Sequence, residues 1–243
     1  MKTLALSLAL LLSTVLSLFS QDVQTIRIPL IGETAPAFVA ESTKGTVHFP
    51  DDYFGKWKIL YSHPSDFTPV CTSEIIELAE MQPELEKLNT KVFIVSTDGI
   101  SSHLEWIKSM ESFRYKDRPP VKIDFPFISD KSMEISKKYG MIHPVANTTK
   151  DVRGVFIVDP DDHIQAIFFY PIAIGRNMDE IKRTLIALQL SASRNVLTPA
   201  DWKPGEDVLI HSPQTQQDAQ KLADRNDPAL YSPVWYLWFK KMK

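Results

Sequence analysis

Cys71 is the one cysteine in this chain of 243 residues, and its neighbours are residue types that could support thiol chemistry. Thr68 stands three residues before it and Pro64 seven residues before it, within the run YSHPSDFTPVCTSE that ends at Glu74. A thiolate is a strong nucleophile, and it is favoured where the pKa of the thiol is lowered by its surroundings. A single cysteine excludes an intrachain disulfide, a CxxC redox motif and a multi-cysteine zinc site. Any thiol chemistry of this chain must therefore use one sulfur.

The elements expected around Cys71 favour a reactive thiol. Residues 58–62 predict a buried strand, and the apolar spacing of residues 72–81 predicts a helix that begins near Thr68 to Cys71. At a helix start, unpaired backbone N–H groups and the helix dipole stabilise a thiolate. The alternative is that Cys71 is a small buried hydrophobic residue, which is the common role of a free cysteine. The loop with two prolines and a nearby hydroxyl favours a preorganised thiolate pocket.

Strand and helix patterns alternate along the chain, which predicts an α/β fold. Pro83 is expected to kink or interrupt the helix that follows Cys71, because proline has no N–H to donate and its ring clashes with the preceding turn. A second helix at residues 102–112 is expected to bury Leu104, Trp106 and Ile107. The other elements predicted are a strand at 91–97, irregular chain at 115–127, a hairpin at 154–158 and 164–170, and a helix capped by Asn177. From residue 195 onward, prolines punctuate the pattern, which predicts a separate C-terminal module.

The amino-acid composition of the chain excludes several classes of protein. The chain is 44% hydrophobic and 23% charged, which excludes a disordered or collagen-like chain. Its formal net charge is −3, from 27 Lys and Arg against 30 Asp and Glu. A nucleic-acid surface needs a basic patch, so no nucleic-acid partner is expected. A chain of this length can bury a substantial core without disulfides.

The first 20 residues predict a signal peptide, because Lys2 precedes an uncharged run rich in Leu, Ala, Ser and Val. A transmembrane anchor is the alternative, but the run is diluted by Ser and Thr and is marginal for spanning a bilayer. Cleavage is expected before Gln21. The mature protein is then expected to be exported, to the periplasm or outside the cell, without stable membrane insertion. A free thiol is unusual in such an oxidising compartment.

The residues around Cys71 resemble a known family. Pro64, Thr68 and Cys71 form the P-x-x-x-T-x-x-C motif of the peroxiredoxins, and SHPSDFTPVCTSE resembles the 1-Cys branch of the peroxiredoxin 6 type. Three later runs are similar to the same branch: DVRGVFIVDPD, YPIAIGRNMDEIKR and TPADWKPGEDV. The resemblance implies a thioredoxin-like domain over residues 28–190, with a central mixed sheet flanked by helices. It implies a C-terminal extension over residues 195–243, with contacts in a dimer.

The resemblance also implies roles for four catalytic residues. Cys71 would be the peroxidatic nucleophile, which takes an oxygen atom from a hydroperoxide and becomes a sulfenic acid. Thr68 would hydrogen-bond the peroxide, and Pro64 would shield the pocket from water. Arg153 would pair with the thiolate and stabilise the charge that develops on the leaving oxygen. No cofactor is expected, because an external thiol or another small reductant must return the sulfenic acid to the thiol.

Three accessory residues are implied as well. His63 would lie beside the thiolate, Glu74 would orient the arginines, and Arg176 would be a second, more peripheral arginine. For Glu74 and Arg176, a helix-surface salt bridge and a helix-start cap are the alternatives. The remaining histidines show no metal-binding spacing, so surface or core positions and no metal site are expected for them. These residues are His48, His103, His143, His163 and His211.

Two classes of function remain in competition at this point. The first is a 1-Cys thiol peroxidase, a homodimer or a larger ring, which reduces hydrogen peroxide and organic hydroperoxides in antioxidant defence. The second is a thioredoxin-fold scaffold or holdase that keeps Cys71 as a redox sensor, without significant turnover. The aromatic run at residues 235–239 would serve protein contacts in either case. Rapid peroxide consumption by Cys71 is expected only of the first class.

Overall fold

The computed structural model describes residues 27–242, and its main feature is a seven-stranded mixed sheet. The predicted signal peptide lies outside these residues. The sheet order is β2-β1-β5-β4-β3-β6-β7. Its strands are β1 Phe38–Ser42, β2 Gly45–Phe49, β3 Trp57–Ser62, β4 Thr90–Ser96, β5 Phe127–Ser129, β6 Arg153–Val158 and β7 Ile164–Tyr170. The central strands β3, β4 and β5 run parallel, and the outer pairs are antiparallel.

Helices cover the sheet, and a smaller unit follows it. The helices are α1 Pro69–Lys87, α2 Ile100–Met110, α3 Glu134–Lys138, α4 Met178–Arg194 and α5 Gln216–Ala223. A three-stranded antiparallel sheet in the order β8-β10-β9 forms the C-terminal unit, with β8 Val208–Leu209, β9 Leu230–Val234 and β10 Leu237–Lys240. No helix within residues 27–242 has the length and apolar character needed to cross a bilayer. The mixed thioredoxin-like fold with a C-terminal extension is confirmed.

Alternation along β3 sends side chains to two separate cores. Ile59 and Tyr61 pack with Cys71 and Ile75 on the side of α1, whereas Leu60 packs in the core on the other face. All six residues of β3 are buried, because the strand lies between β4 and β6 in the middle of the sheet. The strand therefore delivers the chain to the start of α1 from a rigid position.

Two helices differ from their predictions. Helix α1 continues four residues beyond Pro83, so Pro83 does not interrupt it, because Pro83 lies on the exposed side and Leu85 is anchored in the core. In α2, Leu104 is exposed, so its predicted burial is wrong. Trp106 is buried as predicted, and His103 is buried in place of Leu104, because the loop before α1 offers a polar partner for the histidine. The hairpin of β6 and β7 and the Asn177 cap of α4 are confirmed, with the Asn177 side chain accepting from the Glu180 N–H.

Candidate active site

Cys71 lies in the first turn of α1, as the sequence predicts. Thr68 is the N-cap residue in an extended conformation, and Pro69 takes the first helical position, which suits its fixed backbone angle. The backbone N–H groups of this turn lack intrahelical acceptors, so they provide a positive environment for the sulfur. The Cys71 side chain has no exposed surface. The structure therefore combines a helix-start position with full burial of the sulfur.

Arg153 connects the sulfur to the rest of the site. It is the first residue of β6, and its Nη1 donates to Cys71 Sγ at 3.2 Å and to Glu74 Oε2 at 2.8 Å. Its Nε donates to the Ile172 carbonyl at 2.8 Å, which fixes the guanidinium plane. One guanidinium nitrogen is thus shared between the sulfur and a carboxylate.

Glu74 and Arg176 form the second half of this network. Glu74 Oε1 accepts from the Arg176 backbone N–H at 2.7 Å and from its Nε at 2.9 Å, and Glu74 Oε2 accepts from Nη2 at 2.7 Å. Arg176 Nη1 donates to the carbonyls of Ser62 and Gly154, each at 2.8 Å. Arg176 is buried, and none of these five bonds reaches Cys71, so it is the more peripheral of the two arginines. A surface salt bridge is excluded, because the side chains of Glu74 and Arg176 are both buried, and the side chain that caps α4 is that of Asn177.

Glu74 is held in its charged form by the two arginines. Burial alone would raise the pKa of Glu74, but the hydrogen bonds and charge of Arg176 and the charge of Arg153 lower it below its usual value. The two guanidinium groups carry one positive charge more than the Glu74 carboxylate, so the network places an excess positive charge beside Cys71 Sγ.

Thr68 and Pro64 lie where the motif places them. The Thr68 hydroxyl donates to the Ser65 carbonyl at 2.8 Å, which leaves its oxygen lone pairs as acceptors towards an incoming hydroxyl. Pro64 is buried between the end of β3 and this loop. Asp98 secures the same loop, because its Oδ2 accepts from the Asp66 backbone N–H at 3.0 Å. Asp98 could not be predicted from local sequence, because it lies 32 residues away from the backbone group it holds.

His63 is part of a buried cluster that the sequence does not indicate. Asp66 accepts from His63 Nε2 at 2.9 Å and from His103 Nδ1 at 2.9 Å, so it joins the loop before α1 to helix α2. Burial alone would raise the pKa of Asp66, but the hydrogen bonds from His103 and His63 hold it well below its usual value. Burial lowers the pKa of His63, with Asp66 opposing the shift. Only the proximity of His63 and Asp66 could be read from the sequence, because His103 lies 37 residues after Asp66.

The same three residues could offer ligands to a metal ion, because their nearest nitrogen and oxygen atoms lie within 4.8 Å of one another. A metal there would replace both hydrogen bonds to Asp66. It would also require N–H protons on His63 Nδ1 and His103 Nε2, two buried nitrogens that have no partner among residues 27–242. The hydrogen-bonded cluster therefore fits these side chains better than a metal centre.

An aromatic side chain links the cluster to the catalytic helix. Trp106 Nε1 donates to Thr72 Oγ1 at 3.2 Å, and its ring centroid lies 5.0 Å from that of His63. Thr72 is the residue after Cys71. The loop, the helix start and α2 are thus connected through side chains that are mostly buried, which keeps the sulfur in a fixed position.

The comparisons with known proteins identify the same elements. Residues 31–167 match the model of the AhpC/TSA family, and residues 187–225 match the C-terminal domain of 1-Cys peroxiredoxin. A peroxiredoxin of Methanosarcina mazei is 46% identical over 215 residues, which cover 88% of this chain and 98% of that protein.

Two solved structures are similar over nearly their whole length. The first is a cysteine-to-serine mutant of peroxiredoxin 6 of Arenicola marina, with a TM-score of 0.77, 31% identity, and coverage of 88% of this chain and 99% of that one. The second is a yeast mitochondrial 1-Cys peroxiredoxin, with a TM-score of 0.74, 33% identity, and coverage of 88% and 100%. Its description concerns thiol resolution through glutathione and thioredoxin systems.

These comparisons contradict the prediction of a signal peptide at residues 1–20. Relatives that are covered over 98 to 100% of their length match only 88% of this chain. The two matched family models cover residues 31–167 and 187–225 and give the segment no support. The expectation of export, which was drawn from that segment, stays a prediction.

Proposed function

The chain belongs to the AhpC/TSA family and carries the C-terminal domain of 1-Cys peroxiredoxins, and from this premise we propose how its residues divide the work of a thiol-dependent peroxidase. Cys71 is the peroxidatic nucleophile. The observation that carries this assignment is the hydrogen bond from Arg153 Nη1 to a sulfur in the first turn of a helix. Both features stabilise negative charge on that sulfur.

In the first half of the cycle, the Cys71 thiolate attacks the terminal oxygen of a hydroperoxide. The S–O bond forms as the O–O bond breaks, and the leaving oxygen takes a proton and departs as water or an alcohol. Arg153 stabilises the charge on the oxygens during this step. Thr68 orients the peroxide, and Pro64 keeps bulk water away from the sulfenic acid. Glu74 and Arg176 hold Arg153 in place, and His63 positions the loop through Asp66.

In the second half, an external thiol reduces the sulfenic acid. Attack of the thiol on the sulfur releases water and gives a mixed disulfide, and a second thiol then restores Cys71. The chain has no second cysteine to take this part. Reduction by glutathione or a thioredoxin-like protein is supported by the yeast relative, whose thiol-resolving mechanism runs through the glutathione and thioredoxin systems. We propose the same class of reductant here, and assembly as a homodimer or a larger ring.

The assignment of Cys71 is tested by Cys71→Ser. We expect the variant to lose peroxide consumption in the presence of a thiol reductant while keeping the circular dichroism spectrum of the wild type, because serine preserves size and removes the nucleophile. Labelling with a sulfenic-acid reagent after one equivalent of hydrogen peroxide should be lost as well. Peroxide turnover that survives the substitution would show that another group does the chemistry.

A further inference from the structure

A polar contact joins Lys150, in the segment before β6, to the loop that carries Thr68. Lys150 Nζ donates to Ser65 Oγ and to Asp98 Oδ1, each at 3.2 Å, and Ser65 Oγ donates to the same Asp98 oxygen at 3.3 Å. We call Ser65, Asp98 and Lys150 the loop clamp. Lys150 lies three residues before Arg153, and Ser65 lies three residues before Thr68. The loop clamp therefore connects the two chain segments that deliver these active-site residues.

The backbone that carries Lys150 is tied to the sheet. The Thr97 hydroxyl, just after β4, donates to the Thr149 carbonyl at 2.9 Å. The Ser62 hydroxyl, at the end of β3, donates to the Val152 carbonyl at 2.7 Å. Lys150 thus extends from a segment whose position is set on both sides of it.

The loop needs support because its backbone is strained at Phe67. This residue has a φ of 55°, in the left-handed region that bulky residues rarely adopt. Its side chain is 57% exposed, so packing around the ring does not account for the conformation. The flanking residues hold it instead: the Asp66 N–H donates to Asp98 Oδ2 at 3.0 Å, and the Thr68 carbonyl accepts from the Thr72 N–H at 2.9 Å.

Ser65 is the residue through which the loop clamp reaches Thr68. The Ser65 carbonyl accepts from the Thr68 hydroxyl at 2.8 Å, whereas the Thr68 side chain makes no capping bond to α1. The direction of the Thr68 hydroxyl therefore depends on where Ser65 lies. Within residues 27–242, Lys150 is the one cation in salt-bridge contact with Asp98. Without it, the carboxylate that holds Ser65 and the Asp66 N–H would have no counter-charge.

We propose that Lys150 is a positioning residue of the peroxidase reaction, which acts through the loop clamp to hold the Thr68 hydroxyl where it orients the peroxide. This inference rests on the proposed function. Displacement of a catalytic group by about 1 Å slows a reaction by as much as about 100-fold. An ion pair whose lysine side chain is 34% exposed contributes little to folding stability. Loss of Lys150 should therefore lower the rate and leave the stability nearly unchanged.

The test begins with Lys150→Met, which keeps an unbranched side chain and removes the charge and the donors. Stopped-flow tryptophan fluorescence follows the oxidation of Cys71 by hydrogen peroxide, and intact mass reports the gain of one oxygen atom. We expect the second-order rate constant to fall roughly tenfold. The melting temperature should stay within about 4 °C of the wild type. Lys150→Arg, which keeps a cation with donors, should recover most of the rate.

A double-mutant cycle with Thr68→Val tests whether Lys150 acts through Thr68. If it does, there is no hydroxyl left to position in the Thr68→Val background, so adding Lys150→Met should change the rate constant by less than about twofold. A full tenfold loss in that background would show that Lys150 acts by another route, and it would overturn the proposal.

Lys44→Met is the matched control. Lys44 Nζ donates to Asp124 Oδ1 at 3.1 Å, so it forms the same kind of ion pair, but it lies in the turn between β1 and β2 at the edge of the sheet. This variant should react with peroxide at the wild-type rate. Equal slowing of Lys44→Met and Lys150→Met would assign the effect to a general loss of charge and overturn the proposal.

Three further results would overturn it: an unchanged rate constant in Lys150→Met, a large fall in its melting temperature, or a Lys150→Arg variant as slow as Lys150→Met. Failure of the proposed function is distinct from these results. It would leave Cys71→Ser active, whereas failure of the Lys150 inference alone leaves Cys71→Ser inactive.

Discussion

Asp151 is a buried carboxyl group that the proposed chemistry does not use. Its side chain has no exposed surface, and neither carboxyl oxygen has a hydrogen-bond partner in the described range of 27–242. Burial raises the pKa of Asp151 to about 7, from a usual value of 3.8. It precedes Arg153 by two residues, so its protonation state bears on the stability of the segment that delivers the catalytic arginine.

The raised pKa predicts how stability depends on pH. Between about pH 4 and pH 7 the unfolded chain loses the Asp151 proton while the folded protein keeps it, so this group lowers stability as pH rises. Asp151→Asn removes that effect. We expect the stability of the variant, relative to the wild type, to be about 2 kcal/mol more favourable at pH 8 than at pH 5. Urea denaturation at the two pH values measures the difference.

Asp161→Asn is the control for this prediction, because Asp161 lies exposed in the turn between β6 and β7. Its relative stability should be nearly the same at both pH values. If Asp151→Asn behaved like this control, Asp151 would have an ordinary pKa in the folded protein.

At the scale of elements, helix α2 is held by a polar contact on its buried face. His103 donates to Asp66 in the loop before α1, while Leu104 is 48% exposed. The position that a simple apolar pattern assigns to the core is thus at the surface, and a histidine takes its place. The loop that carries Thr68 and Pro64 depends on this contact for its position.

Substitutions on the two sides of α2 test this arrangement. His103→Leu leaves the buried Asp66 carboxylate with one histidine donor, so we expect a loss of roughly 2–3 kcal/mol in the free energy of unfolding. Leu104→Ala should change it by no more than about 0.5 kcal/mol, as is usual for exposed positions. Chemical denaturation at pH 7 measures both. A larger loss for Leu104→Ala than for His103→Leu would restore the face predicted from the sequence.

The buried and exposed faces of α2 illustrate which features of this fold and site can be predicted from the sequence and which cannot. The strand, turn and helix around Cys71 were predictable because their signals are local: an apolar run, prolines and a helix start within 14 residues. Arg153 and Arg176 came from resemblance, since nothing local connects them to the sulfur. Asp98 and His103 were missed because their partners lie more than 30 residues away.

Helix α1 also departs from a local sequence rule, that proline interrupts a helix, because tertiary packing outweighs the local effect. An interruption at Pro83, which was expected as the alternative to a kink, assumes that the missing N–H decides the outcome. In the folded protein Leu85 is packed in the core after the proline, and this packing carries the helix on to Lys87. The first hairpin, β1 with β2, was not predicted at all.

At the scale of the whole molecule, the C-terminal unit presents apolar side chains to the surface. Val234 ends β9, and Trp235 and Tyr236 form the turn to β10; the three residues are 42%, 44% and 54% exposed. Exposed aromatic side chains in a cluster are typical of protein interfaces. The proposed homodimer would cover this turn.

Sedimentation velocity tests the dimer and the role of this turn. We expect the wild type to sediment near twice the mass of one chain at micromolar concentration. The double variant Trp235→Ser with Tyr236→Ser should shift towards the monomer, because it loses the two largest exposed aromatic side chains of the turn. Val145→Ser, at a fully exposed loop position, should leave the mass unchanged. An unchanged mass in the double variant would place the interface elsewhere.

Complete burial of Cys71 also has a kinetic consequence for the molecule. A hydroperoxide is small enough to enter a closed pocket, but the sulfur of a large thiol carrier cannot reach an atom with no exposed surface. A mixed disulfide with such a carrier therefore requires a local opening that exposes the sulfur. We expect interactions that hold the start of α1 closed to slow reduction and to prolong the lifetime of the oxidised enzyme, because they raise the free energy of that opening.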